Sequence, residues 1–191
     1  GTMTSVLSKE SSLKEGEDHI VKTDAPERPL ELPCDVHHIK VKGASYFVLV
    51  GLLHDDPYEV FAGKNGFIDK KVKSGIIIRK KRPKGMYKAV LEDDSEISPI
   101  NATCSEEEDA LTRMTSTSLR HGADIHHVVQ QLEKVKGDMT SFAKSMARAL
   151  KKYIPDGKKE QGECPECNAQ DALIRQEGCI TCTQCGYSKC T

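Results

Sequence analysis

The sequence has almost no net charge, no long apolar run and no leader-like start, and each absence removes a class of function. Lys and Arg number 28 against 29 Asp and Glu, a formal net charge of -1, so no bulk field marks the whole chain as a binder of nucleic acid or membrane surfaces. Any such binding would have to be local. The longest apolar run, Tyr46 to Leu53, is eight residues, against the roughly 20 needed for a helix to cross a bilayer. Gly1-Thr2-Met3-Thr4-Ser5 has no charged leader ahead of an apolar stretch, so the expectation is a soluble, cytoplasmic protein without a membrane partner. In a reducing compartment its eight cysteines point to metal or redox use rather than to extracellular disulfides. A start at Gly1 rather than Met is expected of a trimmed tag or of a piece of something longer.

Residues 1–30 are polar and charged without a period, and are expected to be a flexible linker. From Asp35 the pattern alternates with period two, predicting strands over Val36 to Val41 and Tyr46 to Leu53 about a turn at Gly43. His54-Asp55-Asp56-Pro57 is turn chemistry, with Tyr58 to Phe61 as the returning strand. Ile76-Ile77-Ile78 running into Arg82, a turn at Pro83-Lys84-Gly85, and Met86 to Glu92 predict a second hairpin. Three helices follow. Ser105 with Glu108 forms a capping box for the first, whose expected inward stripe is Ala110, Leu111, Met114, Ser118 and Leu119, ending at Gly122. Asp124 caps the second, expected to bury Ile125, Val128, Val129, Leu132 and Val135, and the third buries Phe142, Met146, Leu150 and Ile154. The predicted fold is α+β: an antiparallel sheet of about five strands, then three helices over 31–156, a tether at 157–163, and a small C-terminal zinc ribbon at 164–191.

The strongest chemical signal is Cys164-Pro165-Glu166-Cys167, fourteen residues, then Cys182-Thr183-Gln184-Cys185. Two such knuckles can bring four thiolates to one tetrahedral Zn²⁺. A module this small has little core, so the metal would supply its folding free energy, on the order of 10 kcal/mol. Cys179 and Cys190 remain. If the second knuckle caps a hairpin centred between Gln184 and Cys185, Cys179 faces Cys190, and facing positions come within disulfide range. A competing partition makes Cys185 and Cys190 the redox pair and divides the zinc ligands differently.

The tail Gly178-Cys179-x-x-Cys182-x-x-Cys185-Gly186-Tyr187-Ser188-Lys189-Cys190, preceded by Cys164-Pro165-Glu166-Cys167, resembles the C-terminal end of adenosylcobalamin-dependent (class II) ribonucleotide reductases. Upstream, Leu32-Pro33-Cys34-Asp35-Val36-His37-His38-Ile39-Lys40-Val41-Lys42-Gly43 and Pro57-Tyr58-Glu59-Val60-Phe61 are similar to the domain before that tail, often called TSCPD. Ala110 to Arg113, Leu119 to Gly122 and Lys152-Tyr153-Ile154 fit its helical part, and Gly1 to Val6 is similar to the segment that leaves the catalytic barrel. The barrel itself, several hundred residues long, has no counterpart here. The resemblance therefore implies a separate subunit or a C-terminal portion, not catalytic alone, of an enzyme that makes deoxyribonucleotides for DNA replication. It implies adenosylcobalamin in the absent barrel, a thioredoxin-like reductant, and Cys179 and Cys190 as catalytic shuttle thiols, with Lys158-Lys159-Glu160-Gln161-Gly162 as the flexible tether.

A second reading is a zinc-ribbon module that binds nucleic acid or a protein without redox work; Cys179 and Cys190, which a structural ribbon does not need, argue against it. Nucleic acid is not the expected partner, since Arg175, Lys189 and Tyr187 are all the ribbon offers. The eight basic residues among positions 70–84 are expected to be a solvated hairpin edge. His37 and His38 point to opposite faces of a strand and are expected to be structural, and Cys34 near His37 is only a weak metal suggestion. Cys104 is expected to be a buried small residue, and His126 and His127 receive no role.

Overall fold

The computed structural model describes residues 19–190. The resemblance at Gly1 to Val6 and residues 1–18 of the expected linker lie outside them. The strands are β1 (Glu31–Val41), β2 (Ala44–Leu53), β3 (Asp56–Lys64), β4 (Ser74–Arg79), β5 (Tyr87–Leu91) and β6 (Glu96–Ile97). They form one antiparallel sheet in the order β3-β2-β1-β4-β5-β6. The helices α1 (Glu106–Arg120), α2 (Ile125–Glu133) and α3 (Phe142–Leu150) follow, and α3 tightens into a short 3₁₀ turn over Lys151–Tyr153. A separate three-stranded sheet, β7 (Leu173–Gln176), β8 (Cys179–Cys182) and β9 (Ser188–Cys190), makes the ribbon.

The apolar run of β2 is explained by its place. It is an inner strand with both faces covered: Val48 and Val50 join the core under the helices, while Phe47 and Leu49 join a second core on the opposite face. The first core takes Val60 and Ala62 from β3 and meets Val129, Leu132, Met146 and Leu150 from α2 and α3. The second is closed by Ile68 and Val72 from the β3–β4 connection and by Ile97 and Ile100. Helices on one face of the sheet are as predicted, with β6 as a further short strand.

Four local expectations change. On α1 the buried positions are Thr112, Thr115, Ser116 and Leu119, while Met114 is 64% exposed, so the expected stripe is rotated. α2 stops at Glu133, leaving Val135 outside it and 44% exposed. The basic segment is not a hairpin edge, because β4 is hydrogen-bonded on both sides and the basic residues Lys80 to Lys84 lie in the exposed β4–β5 turn. The stretch expected to be loose as far as Leu30 is tied down from Thr23 onward. Thr23 bonds the carbonyl of His121, the Pro26 carbonyl accepts from Tyr58, and Arg28 is buried against Glu59 at 2.6 Å. A buried charge is held only where a partner meets it, and the Arg28 guanidinium also donates to the carbonyls of Pro29, Leu30 and Ile77.

Candidate functional site

Each knuckle of the ribbon is built by the same backbone pattern. In the first, Cys164 N–H donates to the Ala169 carbonyl and Asn168 N–H returns to the Cys164 carbonyl; in the second, Cys182 N–H donates to Tyr187 and Gly186 N–H returns to Cys182. The fifth residue of each turn has a left-handed backbone, Asn168 at φ 56° and Gly186 at φ 77°, which Asn and Gly tolerate best. These turns aim the four thiols at a common point. The Sγ atoms of Cys164, Cys167, Cys182 and Cys185 all lie within 4.8 Å of one another. Cys164 to Cys185 and Cys167 to Cys182 are each 3.7 Å apart. Thiolates held at about 2.3 Å by one tetrahedral Zn²⁺ would stand about 3.8 Å apart, so the donor set fits that ion and could hold a metal such as zinc. Backbone N–H groups of Cys185 and Gln184 directed at Cys182 hold its thiol down to about 7, while the thiols of Cys167 and Cys185 in the same cluster are raised, so Cys182 is the first of these three to become the thiolate a metal requires.

At the other end of β8, one knuckle ligand and three residues away, Cys179 is joined to Cys190 by a disulfide with Cα atoms 4.1 Å apart. The two cysteines are register partners in the β8–β9 ladder, with Ile180 facing Lys189 and Thr181 facing Ser188. Cys185, the other member of the competing partition, lies with the four converging thiols instead. Cys190 is exposed and Cys179 half-buried, so solvent reaches the bridge chiefly from the β9 side.

The remaining cysteines are elsewhere. Cys34 is packed in the second core, where burial, then the charges of Asp35 and Glu59, pushes its thiol up to about 12. It does not share a site with His37, whose ring lies against Tyr153 on the other side of β1. Cys104 is half-buried and donates to the Asn101 carbonyl at 3.2 Å rather than sitting in a core.

The family model described as NrdJ homologue C-terminal domain matches residues 32–155. The chain belongs to this family. No curated protein and no solved structure matches it. Membership agrees with the C-terminal region of a class II ribonucleotide reductase and gives the protein a ribonucleotide-reductase-associated role. The NrdJ homologue C-terminal domain covers the sheet and helices, and the four-thiol ribbon lies beyond the match. Among the described residues no helix is long and apolar enough to cross a membrane.

The connection between that domain and the ribbon differs from expectation. The sequence predicts a flexible tether over Lys158 to Gly162, but its first part is hydrogen-bonded along β7, with an isolated bridge between Lys159 and Ile174. Gly157 N–H bonds the Arg175 carbonyl at 2.6 Å, Arg175 N–H bonds Lys158 at 2.8 Å and Glu160 N–H bonds Leu173 at 2.9 Å. The physical reason is Glu160. Its carboxylate is 9% exposed and sits between Arg175 of β7, at 2.6 and 2.9 Å, and His126 of α2, at 3.0 Å. Burial opposes its charge, yet the His126 ring beside it and the hydrogen bonds from Arg175 outweigh that and hold the carboxyl below its ordinary range, although His126 Nε2 meets the carboxylate by distance and not in hydrogen-bond geometry. His126, 2% exposed, and Arg175, 4% exposed, are the residues that sequence reasoning missed.

Proposed function

We propose that this chain is the electron-delivery part of an adenosylcobalamin-dependent ribonucleotide reductase, in which Cys179 and Cys190 carry electrons from a thioredoxin-like dithiol to the catalytic barrel. The observation that supports it is the Cys179–Cys190 disulfide, placed at the solvent-facing end of β8 and β9 and separate from the four-thiol cluster. Ribonucleotide reduction leaves a disulfide in the barrel, out of reach of a protein reductant. In the reduced tail, the thiolate of the exposed Cys190 attacks one barrel sulfur, forming a mixed disulfide and releasing the other as a thiolate that takes up a proton. Cys179 thiolate then attacks Cys190 Sγ, releasing the second barrel thiol and restoring the Cys179–Cys190 bridge. The partner dithiol reduces that bridge by the same two exchanges and leaves as its own disulfide, so two electrons pass per cycle.

Cys164, Cys167, Cys182 and Cys185 would hold a structural Zn²⁺, which ties up their thiolates and keeps them out of the exchange. Adenosylcobalamin would belong to the barrel, and no residue of this chain is assigned to it. In this reading the unit 164–191 works in the cytoplasm as a redox arm on the domain 31–156. The test is turnover of the matching barrel with thioredoxin, adding the wild-type chain, Cys179→Ser or Cys190→Ser, with zinc measured in each. Multiple turnovers with wild type, and arrest after one with both variants while zinc is retained, is the expected result. Variants that turn over like wild type would instead favour a structural binding module.

A further inference from the structure

A ribbon that visits two partners has to move, and the bonds that hold it here define how. The first domain ends at Ile154, which is buried in the core under the helices. The ribbon unit begins at Gly157, whose N–H is already bonded to β7. Only Pro155 and Asp156, both exposed, lie between, and the Asp156 carboxylate already accepts from Glu177 N–H of the ribbon at 3.0 Å, so it moves with that unit. The segment from Gly157 to Glu160, hydrogen-bonded to β7 and bridged at Lys159, therefore belongs to the ribbon, and the two-residue stretch before it is the place where the chain can turn. Among the described residues, polar contacts across that hinge converge on α2: Glu160 with His126 at 3.0 Å and with Gln130 at 3.5 Å, and Lys158 with Asp124. Asp124 is also the N-cap of α2, and His126 and Gln130 lie one turn apart on its face toward Glu160.

We propose that Glu160 is a positioning residue that latches the ribbon to α2, so that the chain has a docked state and a state in which the ribbon, with the segment 157–160, turns as a body about Pro155 and Asp156. One carboxylate serves both sides of the hinge. On the ribbon side it accepts from Arg175, which travels with it; on the domain side it accepts from Gln130 and lies 3.0 Å from His126 Nε2, a buried nitrogen with no hydrogen bond of its own among the described residues, and both of these stay behind. Opening therefore keeps the Glu160–Arg175 pair intact and exchanges only the contacts to α2 for water, which makes release a modest step rather than the exposure of a lone buried charge. In the docked state Cys190 remains exposed to a reductant. The latch stands on this geometry alone, while its use as a gate for delivery rests on the relay proposed above.

The experiment is backbone ¹⁵N relaxation of the full, zinc-loaded chain as wild type, Glu160→Gln and His126→Leu, with zinc content measured in each. His126→Leu changes no residue of the ribbon itself, so it separates release from ribbon unfolding. In wild type the ribbon amides are expected to match the rigid domain, with order parameters of about 0.85, and in both variants to fall below about 0.6 with metal and domain shifts retained. A wild-type ribbon already below that value, or variants that leave the ribbon as ordered as the domain, would overturn the latch. Loss of metal in Glu160→Gln shifts the decision to His126→Leu alone. Failure of the relay would show as unchanged turnover in the cysteine variants, independently of the relaxation result.

Discussion

His37, Tyr153 and Asp35 form a chain in which every proton has a place. Tyr153 has one hydroxyl hydrogen and gives it to Asp35 Oδ2 at 2.6 Å, so the 2.6 Å contact with His37 Nε2 requires the imidazole to donate to the phenol oxygen. Burial, then the Tyr153–Asp35 hydrogen bond, pushes the phenol pKa well above its usual range. Burial, then the nearby Lys152, lowers His37 to about 4 from an ordinary 6.5. The folded state thus keeps the ring neutral over a window in which the unfolded chain protonates it. Below about pH 6.5 the unfolded state binds more protons at this site, so stability should decline as pH falls from about 6.5 to about 4, and this contribution should be flat above that window. Urea unfolding of wild type and His37→Phe at several pH values checks it, since the variant should lose that part of the decline. Equal pH dependence in the two proteins would mean that His37 titrates normally in the fold.

At the scale of elements, strands and helix starts were legible and one helix face was not. The alternation of β1 and the unbroken apolar run of β2 are direct consequences of period-two burial, one-sided or two-sided. The starts of α1 and α2 follow from short side chains that satisfy free N–H groups: Ser105 accepts from Glu108 N–H, and Asp124 accepts from His126 N–H. The inward face of α1 escaped because hydrophobicity is a proxy for burial and fails when a hydroxyl meets its own needs. Ser116 donates to the Thr112 carbonyl at 2.7 Å and accepts from Val60 N–H of β3 at 2.9 Å, while Thr112 donates to the Asp109 carbonyl at 2.8 Å. Those residues pass into the interior as if they were small apolar ones. The Glu160 cluster escaped for a related reason, since no spacing rule announces a carboxylate whose partners come from two distant segments. The register that puts Cys179 opposite Cys190 was legible, because a knuckle fixes the centre of its hairpin. The reciprocal cap on α1, with Glu108 reaching back 2.8 Å to Ser105 N–H, should make Ser105→Ala cost about 1 kcal/mol in denaturant unfolding. A change near zero would show that water replaces the cap without loss.

At the scale of the whole molecule, the described residues form three cores of very unequal size, and that inequality decides what a metal chelator should do. The two flanking the large sheet are continuous and apolar, whereas the apolar residues buried among the described part of the ribbon are Cys164, Ala172, Leu173 and Cys182. Two of those four are metal-ligand candidates, so without a metal the ribbon has almost nothing apolar to hold it. The Cys179–Cys190 bridge closes a loop of few residues and removes little unfolded-state entropy, so it is a minor support beside metal binding on the order of 10 kcal/mol. A chelator with a reductant should therefore collapse the dispersion of amides from Gly157 to Cys190 in an NMR spectrum while those from Glu31 to Ile154 keep their shifts. Amides of α2 near His126 should be the exception, because losing the ribbon removes Glu160 from that ring. If the whole spectrum collapsed together, the ribbon would be a structural part of the large domain and could not serve as an arm that turns on it. Retention of ribbon dispersion in the metal-free, reduced chain would mean that the four thiols are not what folds it, and the assignment of Cys164, Cys167, Cys182 and Cys185 to zinc would fall with that result.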